Sequence, residues 1–198
     1  MKTNIPESLI DELRGKDKTF VVTLEEELPR GSVLSETLYT GLGTIRTLSA
    51  LYQWYDRKKY ALDPVEHVLI HLGSACSSRY SVGTVLRAGS VTLWGSERVE
   101  DRIGLDDASA RAGASLLTCN WLPTASMVNP VETQRLLAEY DLFDTEAYAI
   151  ARFCQETGLR LVCIKGVTES LKEDTTADWR KGLKDLQRSF CRLAKMIQ

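Results

Sequence analysis

Histidine is nearly absent from this chain. Only His67 and His71 carry an imidazole, four residues apart in the apolar run HVLIHLG. On a strand they would lie about 13 Å apart, at ~3.3 Å per residue, so they cannot share a metal ion. No serine or cysteine stands in a nucleophile motif such as GxSxG. Cysteine is sparse: Cys76, Cys119, Cys154, Cys163 and Cys191 are scattered, odd in number and form no CxxC pair. They read as buried, reduced thiols of a cytoplasmic protein rather than a disulfide frame or zinc site. No apolar run approaches the length of a membrane span, and the opening MKTNIPESLIDELRGKDK lacks the apolar core of a signal peptide. Charge of one sign is missing as well. The net charge is -2 with no block of like charges, which argues against nucleic-acid and membrane-surface partners. Any catalysis must therefore rest on carboxylates.

What is present is ordinary for a globular protein: 198 residues, 43% of them apolar and 26% charged. That length suits one sizeable domain spanning residues 1–198. Apolar runs alternate with helical patterns. TFVVTL (Thr19–Leu24) and ETLYT (Glu36–Thr40) read as strands. GTIRTLSALYQWYDRK reads as a helix with Ile45, Leu48, Tyr52 and Tyr55 on its apolar face. HVLIHLG reads as a strand covered on both faces. TVLRAGSVTLW is strand-like with Gly89 as a turn, and SLLTC (Ser115–Cys119) is another strand. PVETQRLLAEY is helical, with Pro130 at its first position. A helix from about Thr145 stops at Gly158, before the strand LRLVCIKGV. A last helix carries Thr175 and Asp178 as a capping pair and a stripe of Trp179, Leu183, Leu186, Phe190, Leu193 and Ile197. The alternation predicts an α/β fold, a three-layer αβα sandwich around a mixed, largely parallel sheet.

Polar residues collect where strands end, the place at which ligands bind in such folds. Glu25, Glu26 and Glu27 close the first strand, a run that reads equally as a solvated acidic turn. Gly41 and Gly43 follow the second and offer either a tight turn or helix N–H groups to a ligand. Gly73 and Ser74 end the third. Glu146 opens a helix on its core-facing stripe, where the helix dipole would keep it ionised. Glu169 follows an apolar strand, where a less watery setting would raise its pKa.

Taken in order, VVTLEEEL, TGLGTIRTLSAL, VLIHLGSACS, VGTVLRAGSV, LLTCNWL, FDTEAYAIA and VCIKGVTE resemble the motifs of the 5′-methylthioadenosine/S-adenosylhomocysteine nucleosidases. These belong to the wider purine nucleoside phosphorylase and nucleosidase superfamily. The resemblance runs from about Phe20 to Glu169. It implies hydrolysis of the N-glycosidic bond of a purine-type nucleoside. In that reading Glu27 positions the attacking water and Glu169, where the family usually has an aspartate, protonates the leaving base. Glu146 holds the ribose hydroxyls, and Ser74, Gly43, Thr168, Lys165 and Asn120 are further substrate contacts. Lys165 stands in place of the usual arginine, Thr168 in place of the usual serine, and Cys119-Asn120 where a Gly-Asp pair is common. No cofactor or metal is implied. The expected partners are a small-molecule nucleoside and a second copy of the chain, since the segment LYQWYDRKKY is richer in aromatics than one core covers.

Two other functions stay open on the residues alone. A phosphorylase needs a cationic phosphate site. The position where six-subunit bacterial phosphorylases usually carry an arginine is here His71, which favours hydrolysis, though Arg30, Arg46, Arg79 and Arg87 lie near in sequence. A nucleoside-binding protein without turnover is the other, given Glu169 and Lys165.

Overall fold

Strands and amphipathic helices alternate along the computed structural model, which describes residues 3–95, 101–105, 113–119, 130–170 and 176–198. In chain order the elements are β1 (Thr3–Asn4), α1 (Glu7–Leu13), β2 (Asp17–Val22), β3 (Glu36–Tyr39), α2 (Thr44–Lys58), β4 (His67–Ser77) and β5 (Val85–Leu93). There follow β6 (Arg102–Gly104), β7 (Ala114–Thr118), α3 (Pro130–Glu139), β8 (Leu142–Asp144), α4 (Ala147–Thr157), β9 (Arg160–Ser170) and α5 (Thr176–Ile197).

One mixed sheet holds all the described strands, and most of its pairings are parallel. β2 lies between β3 and β4, and β4 pairs with β9 along almost its whole length. β9 then pairs antiparallel with β5, which leads through β7 and β8 back to β4. The sheet thus curls until five strands close a circuit.

Alternation of side chains across the strands explains the layers. Val21, Leu69, Leu161 and Cys163 point to one face and pack with Leu51 and Trp54 of α2 and Ile150 and Phe153 of α4. Phe20, Val22, Ile70, Val162 and Ile164 point to the other, against Leu9 and Leu13 of α1 and Leu186 and Phe190 of α5. The expected α/β sandwich is the fold observed. In α5, Leu183, Leu186, Phe190, Leu193 and Ile197 are all buried as the periodicity predicts. Thr175 and the side chains of Asp178 and Trp179 lie outside the described residues.

Two local expectations are corrected. The buried face of α2 is Thr47, Leu51 and Trp54, whereas Ile45 is 84% exposed and Tyr52 42%. Polar handles decide this: Trp54 Nε1 donates to Glu36 Oε2 at 3.1 Å, and Thr47 Oγ1 donates to the Thr40 hydroxyl at 3.3 Å. Buried polar atoms with partners cost little, so these side chains turn inward and the face rotates away from the purely apolar positions. Gly89 is no turn. β5 runs straight through it, and the ladder to β7 slips between Ala88 and Ser90, the mark of a bulge.

Candidate active site

Of the three acids in the TLEEEL turn, Glu25 and Glu26 are exposed and Glu27 is buried. The turn bends the chain back so that Glu27 Oε2 accepts the N–H groups of Thr23 and Leu24, each at 3.2 Å. Its Oε1 accepts the N–H of Ser74 on β4 at 2.7 Å. Burial pushes the Glu27 pKa up, against the pull of these N–H groups and of Lys165. The run is therefore not a solvated turn throughout; its third member is a buried acid held by backbone.

Glu146 stands just before α4 as its N-cap residue, not inside the first turn. Its Oε1 accepts the N–H of Gly43, the residue preceding α2, at 2.8 Å. The carboxylate thus lies at the N-terminal ends of two helices, where partial positive charge favours an anion. Burial outweighs this. Together with the neighbouring Asp144 charge it holds the Glu146 pKa above the usual carboxylate value, so the dipole alone does not set its ionisation.

Asp144, two residues before the N-cap of α4, also binds the start of that helix and was not singled out from the sequence. Its Oδ2 accepts the N–H of Ala147 at 2.8 Å and its Oδ1 the hydroxyl of Thr118 at 2.7 Å. An Asp just ahead of a helix start often accepts a nearby backbone N–H, and that was the available signal. Asp144 Oδ2 also meets Lys165 Nζ at 2.7 Å, with both side chains fully buried. Lys165 in turn donates to Nε2 of His71 at 2.7 Å. Since Nδ1 of His71 faces the carbonyl of Val21 at 3.0 Å, the ring carries its proton there and is neutral. Burial and the Lys165 charge push the His71 pKa down to about 3. Gly73 makes this packing possible: a Cβ there would lie 2.7 Å from Lys165 Nζ and 2.9 Å from His71 Cε1.

Glu169 sits near the end of β9. Half-buried, its carboxyl has its pKa raised by desolvation, the direction expected from the sequence. Its Oε2 accepts the thiol of Cys76 on β4 at 3.5 Å.

Glu27, Gly43, Ser74, Glu146, Thr168 and Glu169, drawn from distant parts of the chain, line one cavity of about 490 Å³ together with Asp144 and Cys76. Lys165 does not line it; it lies fully buried beneath, against Asp144. Asn120 falls outside the described residues. Among the described residues no lysine or arginine borders the cavity. A larger groove, about 820 Å³, runs between α1, residues 81–84 and α5, and contains none of these residues.

The cavity has three carboxylates of raised pKa, one of them gripped by three N–H groups, facing a space that fits a small ligand. Raised carboxyl pKa values are what proton transfer near neutral pH requires.

No protein-family model matches the chain, and no curated protein matches it in sequence. Solved structures do. The 5′-methylthioadenosine nucleosidase of Arabidopsis thaliana aligns with a TM-score of 0.72 over 93% of this chain and 95% of its own, at 13% identity. The futalosine hydrolase of Helicobacter pylori gives 0.71 over 92% and 97%, at 9% identity. The 5′-methylthioadenosine/S-adenosylhomocysteine nucleosidase of Campylobacter jejuni gives 0.68 over 92% and 98%, at 11% identity. The chain has the nucleosidase fold. At such identities the likeness speaks for that fold, and the nucleosidase fold is the frame on which the carboxylates of this cavity are arranged.

Proposed function

We propose that this protein is a nucleosidase that hydrolyses the N-glycosidic bond of a purine-type nucleoside. The observation that carries the reading is the meeting of Glu27, Glu146 and Glu169 around one cavity in a chain with the nucleosidase fold. Cleavage of the bond between C1′ and the base nitrogen builds oxocarbenium character on the sugar, as in glycoside hydrolysis. The electron pair of that bond leaves with the base, and Glu169 delivers its proton to a ring nitrogen. Glu27 takes a proton from water as the water oxygen bonds to C1′. Its position suits the task, because the three N–H groups fix its direction while burial raises its basicity. Glu146 accepts the ribose hydroxyls, using binding energy to place the sugar. Ser74, Gly43 and Thr168 shape the rest of the pocket. Asn120 is a further proposed contact, and Lys165 acts from below through Asp144.

Hydrolysis is favoured over phosphorolysis by the cavity wall. No described cation borders it, His71 is neutral, and Arg30 and Arg79 are engaged with Glu25 and Asp141. A phosphate dianion there would face carboxylates instead of partners. We also infer a homodimer, because Leu42, Ile45 and Tyr52 expose apolar surface beside and along α2. Mass measurement in solution tests it.

The deciding experiment is release of free base from a panel of nucleosides with and without phosphate. Release without phosphate, abolished by Glu169→Gln and by Glu27→Gln, is the expected result. Strict phosphate dependence overturns hydrolysis in favour of phosphorolysis. Tight binding without release under either condition makes the protein a nucleoside-binding module.

A further inference from the structure

In a regular parallel ladder the residue facing Cys76 would be Thr168. Instead the register of β4 with β9 slips at this point: Ala75 is opposite Val167, but Cys76 is opposite Glu169. One residue, Thr168, is left over in β9, and such a bulge re-aims the side chain that follows it. Here the re-aimed side chain is a glutamate, with three torsions to hold, and what it meets across the bulge is the Cys76 thiol at 3.5 Å. Both groups line the cavity.

We propose that Cys76 is the positioning residue of Glu169: across the bulge its S–H donates to Oε2, restrains the glutamate, and leaves Oε1 to carry the acid proton. This rests on the hydrolytic reading for its consequence but on geometry for its substance. A protonated carboxyl has one O–H and one oxygen free to accept, so a donor fixed on Oε2 determines which oxygen holds the proton. A thiol is a weak donor, yet a durable one here. Burial, then the neighbouring Glu169 charge, push the Cys76 pKa far above the thiol range, so it stays S–H throughout the working pH of the protein. Among the described residues, the other titratable groups that act on the thiol are Asp144 at the end of β8 and Cys119 beyond β7. Among the described residues, Cys76 is the titratable side chain that acts on Glu169, and it lowers the glutamate pKa against the larger effect of burial.

The test compares Cys76→Val, whose apolar side chain has no donor, with Cys76→Ser, which keeps a donor. In the full chain labelled with ¹³C at glutamate side-chain carboxyls, the Glu169 signal, assigned by its loss in Glu169→Gln, is titrated by NMR. The expected result is a higher Glu169 pKa in Cys76→Val, and in Cys76→Ser one equal to or below that of the unaltered protein. Base release should fall about three- to tenfold in kcat for Cys76→Val, the loss expected of one hydrogen bond, with little change in KM and with recovery in Cys76→Ser. A Glu169 titration identical in all three proteins overturns the proposal, whether or not base is released. Absence of base release from the unaltered protein defeats the hydrolytic reading instead, and the NMR titration still decides the role of the thiol.

Discussion

The two ends of the central strands carry similar side chains and treat them in opposite ways. At the N-terminal end, Asp17 Oδ2 meets Nδ1 of His67 at 2.7 Å, and Glu36 meets Lys58 at 3.2 Å and the Trp54 indole at 3.1 Å. Both acids are held below the usual carboxylate range. The His67 hydrogen bond is the main cause for Asp17; for Glu36, burial is outweighed by its donors, Trp54 first. At the C-terminal end Glu27, Asp144, Glu146 and Glu169 face one cavity, and the buried Lys165 lies beneath it against Asp144. That lysine is taken by Asp144, whose pKa falls, while burial lifts the other three. The lesson concerns partners: an acid supplied with its own hydrogen-bond donors is structural, whereas buried acids that outnumber the cations beside them keep protons available for chemistry.

The sharpest way to break this contrast is to neutralise one acid at each end. Glu169→Gln should reduce base release by about 10²–10⁴-fold, the usual worth of a proton-transfer group. The alkaline fall of kcat/KM, which marks the loss of the Glu169 proton above the ordinary glutamate pKa, should vanish with it. Asp17→Asn, measured alongside, should leave kcat unchanged. Stability should separate the ends almost as widely. Asp144→Ala strands a buried ammonium and should lower the free energy of urea unfolding by about 3–5 kcal/mol. Asp17, largely exposed, should cost no more than ~1 kcal/mol on the same scale.

Glu146→Gln is the subtler case. Its folded pKa lies above the unfolded one, so ionised Glu146 costs stability at neutral pH. That cost is absent in acid, where both states are protonated, and grows as pH rises from the unfolded to the folded pKa. Gln keeps an oxygen for the Gly43 N–H, so at pH 7 the variant should melt about 2–4 °C higher, equivalent to ~1 kcal/mol. The gain should disappear below the ordinary carboxylate range, and nucleoside KM should rise because the sugar loses a charged acceptor. An unchanged melting temperature at both pH values would show that burial does not strain this acid.

Much of this was legible in the residues, for reasons that differ between parts. The strands and α5 announce themselves by period, because apolar side chains dominate their buried faces even though Thr19, His71, Lys165 and Ser189 are buried among them. α2 misleads because Thr47 and Trp54 bury polar atoms that find partners, which no apolar count foresees. Glu27, Glu146 and Glu169 stand out as acids against apolar flanks. Asp144 and Cys76 do not, since an acid ahead of a helix and a thiol acquire meaning only from what lies across the sheet. The bulge that aligns Cys76 with Glu169 is a property of two strands and is written in neither.

The closed circuit of five strands has a consequence for how this pocket adapts. β4 and β9, which carry Ser74, Cys76, Thr168 and Glu169, are laced together by main-chain bonds and then tied again through β5. No hinge can spread that wall without tearing the lattice of the sheet. Any accommodation of a bulkier guest therefore falls to the opposite rim, where Leu42, Gly43 and Thr145 sit on connections between elements.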